Sequence, residues 1–340
     1  MANRMPLTKT LLSGKGLLHG GDLDGAWAAF PGAPEPWIDL STGINPWPYP
    51  LPPVSSEAWT RLPLRGAEAA LRAAAAACYG APSGEHAATA AGSQALIQLL
   101  PRLRAPGTVA VLGPTYAEHL ACWAVAGHEV KEVASLAELD ADVLVIVNPN
   151  NPDGRILPPE TLLDLAERQA ARGGWLVVDE AFGDVTPEAS LAGAVDRPGL
   201  VVLRSFGKFF GLAGLRLGIA LAAPELAAKM RAAIGPWAVS GPALEIATAA
   251  FSDQDWIAAT HRRLAREAEA LDRLLIESGL TVVGGTQLYR LISTARAQDL
   301  YRALGQAGIL VRRFETQSDW LRLGLPADQA ARDRLRVALR

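Results

Sequence analysis

Short apolar runs alternate with segments of helical periodicity through the middle of the chain. The runs at residues 108–112, 143–147, 175–178 and 200–203 consist mostly of valine and leucine. Continuously apolar strands separated by helices are typical of a mostly parallel sheet that is buried on both faces. The pattern therefore predicts an α/β fold with helices on both sides of the sheet. The accompanying helices are predicted at residues 66–79, 95–103, 117–126 and 159–172.

The pattern changes after Pro224, where helical segments precede a second group of short strands. This order indicates a smaller α+β unit. We therefore expect an N-terminal arm at residues 1–45, a large domain at 46–224 and a small C-terminal domain at 225–340. The strands expected in the small domain are 280–283, 289–292, 309–312 and 320–324.

Glycine and proline interrupt the first fifty residues at short intervals. The dipeptide Gly20-Gly21 and the prolines between residues 31 and 53 favour an irregular arm that lies over another part of the protein. Proline fixes an extended backbone and cannot join the middle of a sheet. Residues 38–50 are therefore predicted to be a linker or a loop that covers a substrate.

The composition is that of an ordinary globular protein. Of 340 residues, 50% are hydrophobic and 20% charged, and the net charge of −3 gives no electrostatic reason to expect nucleic acid or a membrane as partner. Cys78 and Cys122 lie in predicted helices and are expected to be free thiols in a reducing cytoplasm. The first residues do not resemble a signal peptide, and no apolar run reaches about 18 residues.

Four polar loops follow predicted strands, at residues 113–116, 148–154, 179–182 and 205–208. In parallel sheets, ligands bind beyond the carboxyl ends of the strands. We therefore expect these loops to meet at one edge of the sheet and to form a site there.

Lys208 lies in one of these loops among small and apolar residues. Desolvation disfavours the charged form of a lysine, and a neutral lysine amine can form a Schiff base with an aldehyde. The alternative is a surface lysine in a glycine-rich loop. Small residues before Ser93 and Gln94 similarly favour an anion site at a helix start, or simply a helix cap.

The motifs Asn151-Pro-Asp-Gly, Asp179-Glu-Ala-Phe and Ser205-x-x-Lys208, followed by Arg216, together resemble the fold-type I pyridoxal-phosphate enzymes. The chain is most similar to class I/II aminotransferases of the histidinol-phosphate aminotransferase type, over nearly its whole length. The resemblance implies pyridoxal 5′-phosphate (PLP) as cofactor. It also implies a large domain with a mostly parallel seven-stranded sheet between helices, and a smaller α+β C-terminal domain.

The resemblance assigns a role to each motif. Lys208 would hold the cofactor and carry a proton, Asp179 would pair with the pyridinium nitrogen, and Asn151 would donate to the phenolic oxygen. A helix N-cap remains the alternative for Asp179, and a turn residue for Asn151. Tyr116 would stack on the pyridine ring or be an ordinary core tyrosine. The residues implied for the cofactor phosphate are Ser93, Gln94, Ser205 and Arg216.

The resemblance also implies which residues bind the substrate. Arg322, in an otherwise apolar strand, matches the arginine that binds the substrate α-carboxylate. The segments His19-Gly-Gly and Ser41-Thr-Gly-Ile-Asn-Pro resemble the L-threonine-O-3-phosphate decarboxylases of cobalamin biosynthesis, which implies a substrate-phosphate site of His19, Asn45 and Arg312. The alternatives are a flexible-arm residue for His19 and a turn former for Asn45. Strand alternation points Arg313 to the opposite face from Arg312.

Two residues depart from the aminotransferase pattern. Phe182 replaces a tyrosine that shares the phenolic oxygen with Asn151, and Leu62 replaces a tyrosine that reaches the neighbouring subunit's cofactor phosphate. A homodimer is expected by analogy with this fold type. The remaining histidines show no metal-ligand spacing, so no metal is expected.

The resemblance thus implies a PLP-dependent decarboxylase that converts L-threonine O-3-phosphate to (R)-1-aminopropan-2-ol O-phosphate for cobalamin synthesis, and a cytoplasmic location is expected. One alternative is an aminotransferase that acts on histidinol phosphate or a related amine. Another is a binding subunit with a PLP-enzyme fold in cobinamide assembly.

Overall fold

The computed structural model describes Leu17 and residues 19–340. The helices are α1 Leu23–Ala29, α2 Ser56–Thr60, α3 Arg65–Tyr79, α4 Ser93–Leu99, α5 Glu118–Val125, α6 Pro159–Ala171, α7 Phe206–Phe209, α8 Pro224–Ile234, α9 Gly241–Ser252, α10 Gln254–Glu277, α11 Ala297–Gln306 and α12 Gln329–Ala338. The strands are β1 Ile38–Asp39, β2 Ala87–Ala90, β3 Thr108–Leu112, β4 Glu129–Val133, β5 Val143–Val147, β6 Trp175–Asp179, β7 Leu200–Ser205, β8 Gly218–Ala222, β9 Thr281–Thr286, β10 Tyr289–Ser293, β11 Ile309–Leu310, β12 Arg312–Arg313 and β13 Trp320–Gly324.

The chain forms two compact units by its internal contacts. Of the described residues, the first comprises Leu17, 49–151 and 156–254, and the second comprises 19–48, 152–155 and 255–340. Helices α8 and α9 thus group with the first unit, because α8 packs on β2 and α9 packs on α3. This division by contacts does not test the predicted domain boundaries at 45 and 224, which remain predictions.

A seven-stranded sheet in the order β2-β8-β7-β6-β5-β3-β4 is the centre of the first unit. Strands β3 to β7 run parallel, whereas β8 is antiparallel to both of its neighbours. Every residue of β5 and β7 is buried, as a sheet covered by helices requires. This confirms the predicted α/β fold. Edge strands β2 and β4 were not predicted, because β2 contains only small residues and β4 is largely polar.

A four-stranded antiparallel sheet, in the order β12-β13-β10-β9, forms the framework of the second unit. The predicted strand at 309–312 is divided in two: β11 pairs with β1 and β12 pairs with β13. Ile38 and Asp39 therefore belong to a separate two-stranded sheet, and the proline-rich segment stays out of the larger one. Trp47 anchors this segment to the loop before α12, because its Nε1 donates a hydrogen bond to the Ala327 carbonyl at 2.8 Å.

Both cysteines lie in helices and are free thiols, as predicted. Burial is the main cause that raises the pKa of Cys78 and of Cys122 to about 12 in each case. Neither thiol is activated for nucleophilic chemistry. Within the described residues, we find no helix with the length and hydropathy that a membrane span needs.

Candidate active site

The loops after β3, β5, β6 and β7 lie side by side, because these strands are neighbours in the sheet. Backbone hydrogen bonds join them: Asn148 N donates to the Asp179 carbonyl and Glu180 N to the Leu203 carbonyl, both at 2.8 Å. Thr115 Oγ1 also donates to Asn150 Oδ1 at 2.6 Å. The expected meeting of strand-end loops at one edge is therefore present in the first unit.

Asp179 is a buried carboxylate at the end of β6, with 3% of its surface exposed. Its Oδ2 accepts a hydrogen bond from His119 Nε2 at 2.8 Å, and its Oδ1 accepts from Ala181 N at 2.9 Å. The second bond is a local turn contact and not the helix N-cap given as the alternative, because the next helical turn begins at Gly183 and its N-cap residue is Phe182. His119 is a residue that sequence reasoning missed as a functional candidate. No motif or periodicity in the sequence marks it.

Lys208 is half-buried in the single-turn helix α7, directly after β7. Its Nζ lies 5.5 Å from the ring centroid of buried Phe182. The rings of Phe206 and Phe210 stack at 4.5 Å and fix the turn on either side of the lysine. Ser205, the last residue of β7, is buried beside it in the chain. The apolar surroundings expected for this lysine are therefore present.

A tight cradle surrounds the start of α4. A Cβ atom on Gly92 would lie 2.5 Å from Arg216 Nη2, and one on Gly218 would lie 2.2 Å from Ser93 N. Arg216 has a left-handed backbone with a φ of 55°, and its Nη1 donates to the Ala213 carbonyl at 3.2 Å. The structure thus brings together the Arg216 guanidinium and the first turn of α4, two features that attract an anion.

Gln94 is tied into the protein through both ends of its side chain. Its Nε2 donates to Glu118 Oε2 at 2.8 Å, and its Oε1 accepts from the Tyr116 hydroxyl at 3.2 Å. The Tyr116 ring in turn meets the His119 ring edge-on at 6.1 Å. Residues Gln94, Tyr116, His119 and Asp179 therefore form one connected group. A phosphate contact from Gln94 remains a prediction, for which its backbone N–H is the simpler donor.

Asn151 is half-buried after β5, and its neighbours are held firmly. Asn148 Oδ1 accepts from Leu157 N at 2.8 Å, and Asn150 Nδ2 donates to the Pro114 carbonyl at 3.0 Å. The asparagine-rich loop is thus ordered by its own amides. The role of Asn151 towards a cofactor oxygen remains a prediction.

Two predicted substrate residues of the second unit face each other across a strand pair. Arg312 on β12 lies directly opposite Arg322 on β13 in the antiparallel register. Side chains of directly opposite residues lie on the same face, and like charges there destabilise the pair. The Arg313 side chain has a different aromatic neighbour. Its guanidinium lies 5.0 Å from the ring centroid of Tyr301, whereas the Arg312 guanidinium lies 5.4 Å from the ring centroid of Phe314. The arrangement is suited to anionic ligands.

Arg322 is the more buried of the two arginines, at 5% exposure. Its Nη2 donates to the Ser41 carbonyl at 2.7 Å, and its guanidinium lies 4.8 Å from the ring centroid of Tyr289. Burial lowers the pKa of Arg322, and nearby Tyr289 and Asp39 oppose that effect. A buried guanidinium of this kind is stabilised when a carboxylate binds it.

The arm is attached at the same serine. Gly21 N donates to Ser41 Oγ at 2.7 Å, and a Cβ on Gly20 would lie 2.4 Å from the Ser41 carbonyl oxygen. His19 precedes these glycines and is exposed. Asn45 is buried, and its Oδ1 accepts from Trp47 N at 2.9 Å, which is the turn contact given as its alternative. The substrate roles of His19 and Asn45 remain predictions.

The comparisons with known proteins agree with these features. A family model described as aminotransferase class I and II matches residues 55–339. Threonine-phosphate decarboxylases from Pseudomonas aeruginosa and from a Sinorhizobium species are each 47% identical over 328 residues, covering 95% of this chain and 97% of theirs. A solved histidinol-phosphate aminotransferase from Clostridium acetobutylicum has a TM-score of 0.77 at 21% identity, covering 89% of this chain and 98% of its own.

The chain therefore belongs to the class I and II aminotransferase family of PLP-dependent enzymes. The residues present fit the cofactor, because the cradle around Gly92 and Arg216 can hold a phosphate and the buried Asp179 can pair with a ring nitrogen. Lys208 would supply the amine that the cofactor aldehyde requires. The structural neighbour establishes the fold alone, since this fold serves more than one reaction.

Proposed function

We propose that this protein is a PLP-dependent L-threonine-O-3-phosphate decarboxylase that forms (R)-1-aminopropan-2-ol O-phosphate for cobalamin biosynthesis. The structural observation that carries the proposal is the register of Arg312 opposite Arg322. Threonine phosphate has a carboxylate and a phosphate in one small molecule, and two opposed arginines match two anionic groups. The two near full-length relatives named threonine-phosphate decarboxylase support the same reaction.

Each group of the substrate has an assigned partner. Arg322 binds the α-carboxylate, and Arg312, His19 and Asn45 bind the phosphate. Because Arg322 is buried and held by the Ser41 carbonyl, it can orient the carboxylate with little loss of side-chain entropy. Orientation matters here, since only the α-carbon bond held perpendicular to the cofactor ring is broken.

When bound, PLP would supply an electron sink for the pair left at the α-carbon by loss of CO₂. Asp179, held by His119, is the carboxylate assigned to the ring nitrogen. Lys208 Nζ delivers the proton that replaces the carboxyl group at the α-carbon. One CO₂ is released and one proton is consumed.

The test is an assay of the purified protein, loaded with PLP, on L-threonine O-3-phosphate. We expect stoichiometric release of CO₂ and aminopropanol phosphate without any need for a 2-oxo acid. Unphosphorylated L-threonine serves as the matched control and should react much more slowly. Amino transfer from histidinol phosphate to 2-oxoglutarate, without CO₂ release, would instead identify the protein as an aminotransferase.

The third possibility, a binding subunit without catalysis, is tested in cells. A strain in which the Lys208→Ala variant replaces the wild-type protein should fail to make cobalamin unless aminopropanol phosphate is supplied. Growth of that strain without the supplement would contradict an enzymatic role.

A homodimer is part of the proposal. Exposed apolar side chains are concentrated in residues 51–64, where Leu51, Trp59, Leu62 and Leu64 are each at least 63% exposed. Such a patch is typical of a surface that a partner covers. We expect a dimer by light scattering, and Leu64→Glu should weaken it, whereas Val337→Glu, an equally exposed position in the second unit, should not.

A cytoplasmic location is proposed from the two free cysteines. Free thiols persist in reducing compartments. Cell fractionation tests this, and recovery of the protein with an oxidising compartment would contradict it.

A further inference from the structure

A cavity in the first unit is lined by none of the residues assigned to cofactor or substrate. Its volume is about 440 Å³. Helix α3, strand β2, helix α8 and the loop after α8 contribute the lining. A cavity of this size is large enough for a small molecule.

Three arginines give the cavity its charge. Arg65 and Arg72 lie two turns apart on one face of α3, and Arg231 comes from α8. Glu68 is the acidic residue of the lining, and the hydroxyl of Thr89 adds a polar group from β2. The remaining wall is apolar or glycine: Ala232, Ile234, Gly235, Pro236, Ala238 and Val239.

The described part of the protein provides hydrogen-bond acceptors for the guanidinium of Arg231 but not for the Nε of Arg72. Arg231 Nη1 donates to the carbonyls of Glu85 and Ala87 at 2.9 Å, and its Nη2 donates to Glu85 Oε2 at 3.0 Å. Arg72 has only an ion pair of 3.8 Å with the same Glu85, and its buried Nε has no hydrogen-bond partner among the described residues.

One glutamate is thus shared by two arginines. The Arg72 side chain is only 16% exposed, so its charge is poorly hydrated as well as poorly paired. Burial and the proximity of Arg72 lower the pKa of Arg231, against the effect of Glu85. A partly buried, under-compensated cation is stabilised by a further anion.

We propose that this cavity is a second anion site, which binds phosphate or a small phosphate monoester. Arginine binds phosphate through several parallel N–H donors, and two guanidinium groups offer more donors than a single carboxylate can accept. The apolar wall beside them can accommodate a short hydrocarbon group of a monoester. The site is separate in its residues from the substrate-phosphate site of Arg312.

The test uses the PLP-loaded enzyme with Arg312→Gln, which removes the main cation of the proposed substrate-phosphate site. Calorimetric titration with inorganic phosphate, and in a second arm with ethyl phosphate, is done at constant ionic strength. We expect binding in this background that is weakened at least about tenfold when Arg72→Gln is added, because a charge-assisted donor is lost. Tighter binding of ethyl phosphate would identify a monoester as the preferred ligand.

Arg102→Gln is the matched control, since Arg102 is an exposed arginine of the same unit outside the cavity, and it should leave binding unchanged. The melting temperature and cofactor absorbance verify that each variant folds. If Arg72→Gln does not fold, Arg65→Gln replaces it, with the same expectation. Phosphate binding that is equal with and without the arginine overturns the proposal. A second result would also overturn it: Arg72→Gln weakens self-association, and the titration with phosphate shows no heat of binding. That result would mean that an acidic side chain of a second copy fills the cavity.

Discussion

At the scale of single residues, the decisive contacts join positions far apart in the sequence. Asp179 could be a helix cap or a cofactor partner by its motif alone. The structure adds His119, sixty residues earlier, as a buried hydrogen-bond partner. A lone histidine in an apolar helix gives no periodic or motif signal, and so His119 could not be assigned from the sequence.

Substitution of Lys208 tests its assigned role in cofactor binding and proton transfer. Lys208→Ala should lower kcat about a thousandfold, because the group that holds the cofactor and moves the proton is removed. The visible absorption of the lysine-bound cofactor should also be absent, and dialysis should remove the PLP that remains. Lys131→Ala, an exposed lysine, is the control. Retained activity in the Lys208 variant would show that another group does this chemistry.

At the scale of elements, the division of the predicted strand at 309–312 has a functional consequence. Ile309 and Leu310 pair with β1, whereas Arg312 and Arg313 pair with β13. The change of partner places Arg312 opposite Arg322. Residue patterns predict strands well, but the partner of each strand depends on contacts distant in sequence.

Arg312→Gln tests that register. The KM for threonine phosphate should rise about tenfold to a hundredfold, because a charged contact to the phosphate is lost. Without ligand, removal of the like-charge pair should stabilise the protein by up to about 1 kcal/mol. Arg313→Gln changes the adjacent residue on the other face and should do neither. Equal effects of both variants on KM would contradict the assigned register.

A buried charge cluster joins the ends of β6 and β7 next to the site. Arg204 Nη1 donates to Glu180 Oε2 at 2.8 Å, and its Nη2 lies 3.2 Å from Asp184 Oδ1. One arginine thus faces two carboxylates. Burial raises the pKa of Glu180 above its ordinary value of 4.5, although Arg204, Ser190 and Leu191 act in the opposite direction.

This shift predicts a pH dependence. A raised carboxyl pKa contributes stability that is fully present below about pH 4.5 and is lost as the pH rises through the folded-state pKa. Glu180→Gln does not titrate. As the pH rises from 4.5 to 8, the free energy of unfolding of the wild type should therefore fall relative to that of this variant. Urea unfolding across this range measures it, with exposed Glu188→Gln as control. A difference that is constant with pH would rule out the raised pKa.

At the scale of the whole molecule, the predicted residues separate by unit. The cofactor candidates Ser93, Gln94, Tyr116, Asn151, Asp179, Ser205, Lys208 and Arg216 belong to the first unit, and the substrate candidates His19, Asn45, Arg312 and Arg322 belong to the second. The cofactor is therefore expected to stabilise chiefly the unit that holds the parallel sheet.

Removal of PLP tests this expectation. A ligand that binds only the folded state, at a concentration a hundredfold above its Kd, adds about 2.7 kcal/mol to the free energy of unfolding. The apoenzyme should thus melt at a lower temperature, and hydrogen exchange should increase mainly in β5 to β7. In Lys208→Ala the difference between the two forms should be smaller. Equal melting of holoenzyme and apoenzyme would contradict the cofactor site.

The sequence by itself determined the class of fold and predicted the chemistry of the strand-end loops. Buried parallel strands need continuous apolar runs, and a cofactor aldehyde needs a lysine, so both leave local marks in the chain. Together with the family resemblance of the combined motifs, these marks gave the predictions for Lys208 and Asp179 without any structure.

Tertiary structure decided the rest. It alone brought His119 to Asp179, Arg312 to Arg322, and Arg65, Arg72 and Arg231 to one cavity. Each of these arrangements joins residues that are distant in sequence, and such contacts form only when whole elements pack. The motifs therefore indicated the cofactor and the substrate, and the packed elements supply the charge pattern that supports this substrate and from which the second anion site is inferred.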